Sequence, residues 1–380
     1  MEGMMKKNLV LLYGGRSGEH EVSLISAASI LKHLNRDAYK VIPVGISRKG
    51  DWYLQDMAEC DRAVGNASGE SMTGLPEVAN GVRVAALPGM GLMSIDADGR
   101  AKKIECDIVF PALHGTFGED GTVQGLLECC GLPYVGAGVL GSAIGMDKHV
   151  AKELWSREGL PVVDSILVRS TDMETSGFAA SLTRKIEARF GWPCFVKPAC
   201  SGSSVGTSKA VDPAALEKSL RLALRFGERA LVERFVHARE IECSVLGNEA
   251  PVAFPPGEII PAHEFYDYEA KYKDPDGAAL VVPAQLSAPV AEQIRGIALK
   301  AYRACGLAGM ARVDFFIDRR TGEILLNEVN TIPGFTAISM YPRMCEAGDT
   351  KYAELLDRLV ELGLERYATL SRLEYDYIGG

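Results

Sequence analysis

No run of apolar residues in the 380-residue sequence approaches the ~18 needed to span a bilayer. The first apolar run, Leu9–Tyr13, is too short for the core of a secretion signal and reads as a buried strand. C-x-x-C and H-x-x-x-H spacings are both absent, so neither a zinc ribbon nor a helical metal pair is indicated. The nine cysteines are odd in number, with only Cys129 and Cys130 adjacent, and form no disulfide framework. They are expected to be reduced core residues of a cytoplasmic protein. A surplus of positive charge is also missing. The net charge of −9 argues against a nucleic-acid binder, which needs a basic face to replace counterions. The phosphate-loop spacing G-x-x-x-x-G-K-[ST] does not occur.

Glycine is in surplus, with 40 of 380 residues against a usual share of about 7%. Each glycine costs backbone entropy on folding, so the surplus points to turns and close backbone approaches. At roughly 150 residues per domain, the length predicts two or three domains. The first third alternates strands (Asn8–Tyr13, Lys40–Ile46, Ile104–Pro111, Leu132–Val135) with helices (Glu19–Leu34, Val123–Cys130), the pattern of a parallel sheet with crossovers. Residues 60–100 read as a hairpin or loop insertion. Further on, strands at 164–168, 194–197, 230–235 and 240–246 accompany helices at 147–158, 178–190 and 213–226. A polar, Tyr-rich stretch fills 255–275, and helices are expected at 289–305 and 352–367.

Two glycine loops compete for a phosphate. Gly136-Ala137-Gly138-Val139-Leu140-Gly141 is a literal G-x-G-x-x-G. Its preceding strand is about four residues long, and the fingerprint normally opens a domain, so a tight turn between domains is the better reading. The loop after Phe195-Val196-Lys197-Pro198 is richer. Cys200-Ser201-Gly202-Ser203-Ser204-Val205-Gly206 can lay backbone N–H groups and hydroxyls against phosphate oxygens, with Lys197 as a point charge.

The most informative residues form a hairpin. Period two puts Arg312, Asp314 and Phe316 on one face of 311–317, and Glu328, Asn330 and Leu326 on one face of 324–330. Antiparallel pairing about Thr321 sets Asp314 opposite Glu328 and Arg312 opposite Asn330. Like charges so opposed are destabilising unless a cation lies between them. Asp314, Glu328 and the Asn330 amide oxygen make an all-oxygen set suited to Mg2+, and a bridging Glu suggests two ions.

With these residues in view, the chain resembles the D-alanine–D-alanine ligases of the ATP-grasp superfamily. The motifs are Gly14-Gly15-Arg16-Ser17-Gly18-Glu19-His20-Glu21-Val22-Ser23, His114-Gly115 with Glu119-Asp120-Gly121-Thr122, Met146-Asp147-Lys148, Lys197-Pro198 with the glycine loop, Phe265–Tyr272, Arg312-Val313-Asp314, and Asn327–Gly334. The resemblance implies a mixed α/β and α+β, three-domain ATP-grasp fold with a parallel-sheet N-terminal domain. It divides the chain into an N-terminal substrate domain (1–145), a central subdomain (146–240) and a C-terminal subdomain (241–380) with a lid at about 255–277. It implies two D-alanines and ATP as substrates, two Mg2+ (or Mn2+), a monovalent cation and a homodimer, with no nucleic acid or membrane partner.

Roles follow from the same resemblance. Lys148, Lys197, Ser204 and Lys271 would contact nucleotide phosphates, Glu233, Arg234, Phe235 and Val236 the adenine edge, and Glu240 the ribose. Asp314, Glu328 and Asn330 would hold the metals. Glu19 would take the first ammonium within a hydrogen-bonded set with Ser203 and Tyr272, and Val22 and His114 would line that subsite. Arg312 and the Gly334 N–H would form the oxyanion hole, and Ser339 and Met340 would meet the second substrate. Cys200, Arg234 and Met340 depart from the residues more usual in relatives, and the Cys200 thiol is a candidate for reactivity. The competing readings are a D-alanine–D-lactate or D-alanine–D-serine ligase, a catalytically silent nucleotide-binding subunit, and a dinucleotide oxidoreductase. Tyr272 matches the D-alanine type.

Overall fold

The computed structural model describes residues 6–65, 74–261, 278–336 and 338–374. Lys271, Tyr272 and most of the expected lid lie outside them. Three sheets carry the chain. The first has seven strands, β1 (Lys7–Gly14), β2 (Tyr39–Ile46), β3 (Trp52–Leu54), β4 (Val82–Leu87), β5 (Gly91–Ile95), β6 (Ala101–Ile104) and β7 (Ile108–Ala112), in the order β6-β5-β4-β3-β2-β1-β7. Only β2-β1-β7 is parallel; β3 to β6 extend the sheet antiparallel. The N-terminal sheet is therefore mixed, and the 60–100 insertion supplies its edge. β1 lies between the two other parallel strands and is buried from Leu9 onward, as a strand covered on both faces requires.

Leu132–Val135 is not a strand. Tyr134 makes a single parallel bridge to Val109 before Gly136, at φ +101°, turns the chain away. Gly138 then caps a helix, Val139–Met146, within the dinucleotide-like motif. Gly145 of that helix sits against Thr331, where a Cβ would meet the threonine methyl.

The second sheet, of β8 (Ser165–Arg169), β9 (Cys194–Pro198), β10 (Ser208–Ala210) and β11 (Arg229–Arg234), has the order β10-β9-β11-β8. Helices Phe178–Arg189 and Pro213–Ala223 close over it in a core of its own. The third sheet contains β12 (Ala238–Leu246), β13 (Val252–Ala253), β14 (Gly257–Pro261), β15 (Ala278–Val281), β16 (Met310–Asp318) and β17 (Ile324–Asn330). Its main path is β15-β14-β12-β16-β17. Helices Ala288–Ala304 and Lys148–Arg157 pack on it, with Trp155 fully buried and its indole N–H donating to the Ala301 carbonyl at 3.1 Å. Asp147 starts the latter helix by accepting from the His149 and Val150 N–H groups.

A shared core ties the first sheet to helices Met340–Ala347 and Tyr352–Leu370. The second sheet instead meets its neighbours mainly through polar side chains, and these define the site.

Candidate active site

The hairpin register is the expected one, Arg312 opposite Asn330 and Asp314 opposite Glu328. One step further the register shifts, so that Phe315 pairs with Leu326 and Asn327 becomes an extra residue. This corrects the period-two expectation for Leu326. The bulge turns it into the core beside Phe315, away from the face that carries Glu328 and Asn330. It also presents the Asn327 amide oxygen to Lys197, whose Nζ donates to it at 3.0 Å.

β12 adds a third acid, because Glu242 pairs with Asp314. Glu242, Asp314 and Glu328 thus lie at one level across three neighbouring strands. Arg312 binds Asp314 through both Nε (2.8 Å) and Nη2 (2.7 Å), and its Nε is 3.1 Å from Glu242. Burial opposes its charge, but Asp314 and Glu242 hold the guanidinium firmly protonated. Lys148 Nζ lies 3.2 Å from Glu328 and donates to the Ser201 carbonyl at 2.6 Å. It too is buried, and Glu328 keeps its pKa up. Asn330 donates to Asp314 at 2.9 Å.

Three carboxylates facing two cations leave an acidic, oxygen-only surface, the donor chemistry of a hard divalent ion. Among the described residues no group of three His, Cys, Asp or Glu side chains is arranged as a metal cage. Any ion would have to draw on the Asn330 amide and on ligands that the substrates supply. The cleft between Glu119, Lys148, Gly202, Glu328 and Asn330 is narrow, with a volume of about 20 Å3.

Glu19 and Ser203 meet as expected. The Ser203 hydroxyl donates to the Glu19 carboxylate, linking the second sheet's glycine loop to the start of helix His20–His33. Gly115 and Gly202 make room for that carboxylate, since a Cβ on either would collide with it. Ser203 and Ser204 both adopt left-handed backbone, at φ +47° and +57°, which is uncommon for residues other than glycine. Val22 is buried one turn into the helix. His114 is buried with both ring nitrogens engaged, Nδ1 with the Ile332 carbonyl (3.0 Å) and Nε2 with Ser26 (2.9 Å). Burial lowers its pKa, so the ring is neutral.

At the nucleotide end, Glu233 is enclosed. Its carboxylate lies 3.0 Å from Lys152 and 2.8 Å from Lys197. Burial alone would raise its pKa, but the two lysines pull it below the usual range. Arg234 turns outward to Glu323 at 3.0 Å. Phe235 stacks on Phe195, and Lys209 lies over the Phe235 ring. The half-buried Val236 follows, and Glu240 lies on β12 opposite Phe316. The Glu233 side chain is turned to the lysines.

Gly334 is half-buried after β17, and its N–H makes no hydrogen bond among the described residues. Ser339 caps helix Met340–Ala347, and its hydroxyl is bound to Thr336. The Met340 side chain belongs to the apolar core, against Gly257. Burial and an interaction with Asp147 push the Cys200 thiol up to about 11, which corrects its candidacy as a reactive group.

Besides Glu242 and Asn327, two further residues had no role in the sequence reading. Glu119 accepts the Gly115 N–H (2.9 Å) and the Ile332 N–H (3.1 Å), joining the loop after β7 to that after β17. Burial, with the Glu19 charge, pushes its pKa up to about 8. Lys152 lies four residues after Lys148, a spacing that could have flagged it as facing the same way. Burial, partly offset by Glu233 and reinforced by Lys197, lowers its pKa to about 8. Between about pH 8 and 10.5 the folded protein therefore binds fewer protons at Lys152 than the unfolded chain. Its contribution rises with pH across that window, by about 3 kcal/mol in total, and is lost as the pH falls through 8. Lys152→Met is expected to make the pH dependence of the melting temperature between pH 8 and 10 more negative than in the unsubstituted protein, because the buried thiols and phenols with raised pKa already pull it down there. Parallel pH profiles for the two proteins would count against this.

Comparison with known proteins gives the chain's relatives. A family model described as "D-ala D-ala ligase N-terminus" matches residues 8–137, and one described as "D-ala D-ala ligase C-terminus" matches residues 154–361. Over 96% of its length the chain is 47% identical to a D-alanine--D-alanine ligase of Thermoanaerobacter sp. (strain X514), covering 98% of that protein. It is 43% identical, over 98% of its length, to the D-alanine--D-alanine ligase of Ruminiclostridium cellulolyticum, covering 99% of it. Among solved structures, the D-alanine-D-alanine ligase from Coxiella burnetii superposes with a TM-score of 0.80 at 35% identity, covering 97% of this chain and 98% of that one. The VanG D-Ala:D-Ser ligase from Enterococcus faecalis gives 0.80 at 34% identity, covering 94% and 100%.

Proposed function

The chain belongs to the D-alanine–D-alanine ligase family, and from that premise we propose how its own residues carry the reaction. It joins two D-alanines into D-alanyl-D-alanine with ATP, a building block of peptidoglycan. The contact that carries our assignment of roles is the Ser203–Glu19 hydrogen bond, which brings the glycine loop of one sheet to the substrate loop of another.

Glu19 takes the ammonium of the first D-alanine, with Val22 and His114 behind it. A carboxylate is a poor electrophile, so the first D-alanine must be phosphorylated to an acyl phosphate before an amine can attack it. Lys148 and Lys197 stand at the cleft as cations for the phosphate chain, with Ser204 in the loop beside them. Lys271 is assigned the same task and Tyr272 a part in the Glu19–Ser203 set; both lie outside the described residues. Phe235, with the backbone of Glu233, Arg234 and Val236, forms the adenine edge, and Glu240 binds the ribose. Asp314, Glu328 and Asn330 fit two Mg2+ or Mn2+, which when bound would neutralise phosphate charge. The second D-alanine docks near Ser339 and the Met340 backbone. Arg312 and the Gly334 N–H receive the oxyanion as its amine attacks.

We assign substrate binding to residues 1–145 and nucleotide binding to 146–240 and 241–380. Exposed Leu126, Val139 and Leu140 on two adjacent helices support a homodimer through the first unit. The nine free cysteines fit a reducing compartment, the cytoplasm.

Phosphate release from ATP and Mg2+ tests the reading. D-alanine is expected to support it at least tenfold better than L-alanine, with D-alanyl-D-alanine as the product. A mixed product carrying D-serine or D-lactate in preference, when all are offered at neutral pH, would overturn it.

A further inference from the structure

A cavity of about 300 Å3 lies beyond the C-terminal ends of β1, β2 and β7, bordering the first D-alanine's subsite, with which it shares His114. That volume suits a small organic molecule. The carboxyl ends of parallel strands, where the chain order reverses about β1, are a recurrent ligand position in such sheets.

Its lining is unusual in charge. Arg16 and Lys49 both contribute, and no Asp or Glu does. Neither side chain has an ion-pair partner among the described residues; Arg16 only lies over the Phe117 ring, 5.5 Å from its centroid. The nearby acid, Asp120, is occupied by the Phe117 and Thr122 N–H groups and the Thr122 hydroxyl. Phe117 is held at φ +65°, a costly conformation for a bulky residue, with its ring largely exposed beside the cavity. Trp52 also lines the cavity, and Leu113 and Val123 add apolar surface to it.

We propose that this cavity binds a small organic anion, a phosphate, sulfonate or carboxylate carried on a flat apolar body. The anion would lie between Arg16 and Lys49, and the flat body between Trp52 and Phe117. An amino acid or dipeptide zwitterion fits poorly, because no carboxylate lines the cavity to take its ammonium. The cavity thereby differs from the ligase's substrate subsites in its chemistry, although His114 borders both, and it does not depend on the assigned reaction.

The test uses the full chain with D-alanine and a non-hydrolysable ATP analogue present at saturation. 8-Anilinonaphthalene-1-sulfonate is expected to bind saturably, one per chain, with quenching of Trp52 emission. Neutral N-phenyl-1-naphthylamine is expected to bind at least tenfold more weakly. The double variant Arg16→Ala/Lys49→Ala, both residues being exposed and outside the reaction site, is expected to keep its melting temperature and lose at least tenfold in sulfonate affinity. Displacement of the sulfonate by AMP would identify a phosphate-bearing ligand, and retention an aryl anion; either supports the site. Equal binding of the neutral probe, unchanged affinity in the variant, or exclusion of the sulfonate by D-alanine with the ATP analogue would overturn it.

Discussion

Replacing Arg312 by methionine is expected to remove dipeptide formation and lower the melting temperature together. The guanidinium is fastened to Asp314 by two hydrogen bonds and lies 3.1 Å from Glu242, and all three side chains are largely buried. Removing one partner of a buried ion pair costs about 3–5 kcal/mol, because the other charge stays behind unpaired. Here two carboxylates would be left. Losing an oxyanion donor adds about 10²- to 10³-fold in rate. Arg312→Lys separates the two effects. Lysine restores a charge for Asp314 and Glu242, so much of the stability is expected to return. Its single ammonium cannot hold Asp314 through two bonds and also face an oxyanion, so the rate is expected to stay at least about tenfold down. Thermal melts beside single-turnover phosphate and dipeptide assays make the comparison. Full recovery of the rate with lysine would mean that Arg312 serves only as a structural counterion.

That arginine also shows how far the sequence could be read. Its place opposite Asn330, and that of Asp314 opposite Glu328, followed from strand periodicity and the position of the turn, both local properties. The bulge at Asn327 did not. An extra residue leaves no mark in an alternating pattern until the partner strand's register is known, so Leu326 was expected on the wrong face. Glu242 was missed for a related reason. It joins the acids only because β12 pairs with β16, about 70 residues away in sequence, and such pairing is invisible to local pattern. The edge strands β3 to β6 are short and partly exposed, with burial too weak to impose alternation. The Leu132–Val135 run was apolar enough for a strand, but Pro133 and Gly136 restrict its pairing to one bridge. The Ser203–Glu19 contact came from family resemblance. Nothing in either segment alone predicts that residues 184 apart are joined by a hydrogen bond.

Glu328→Gln is expected to leave the fold intact while stopping the reaction, the reverse of the balance at Arg312. Glu328 stands directly opposite Asp314, with Glu242 one strand further, so the free protein holds three carboxylates against Arg312 and Lys148. Opposed like charges cost about 0.2–1 kcal/mol per pair. Glutamine relieves that repulsion and brings two acids level with two cations. Lys148 loses an ion pair at 3.2 Å but keeps its 2.6 Å hydrogen bond to the Ser201 carbonyl. These terms oppose each other, so the melting temperature is expected to change far less than in Arg312→Met. Activity has no such compensation. A divalent ion contributes several kcal/mol of charge stabilisation during phosphoryl transfer, and each ~1.4 kcal/mol is tenfold in rate. A neutral amide at this position is thus expected to cut D-alanine-dependent phosphate release by about a thousandfold. Half-saturating Mg2+ is expected to rise at least tenfold. Titrations of Mg2+ at fixed ATP, read beside thermal melts, decide the matter. An unchanged Mg2+ dependence together with a lowered melting temperature would make Glu328 the partner of Lys148 and nothing more.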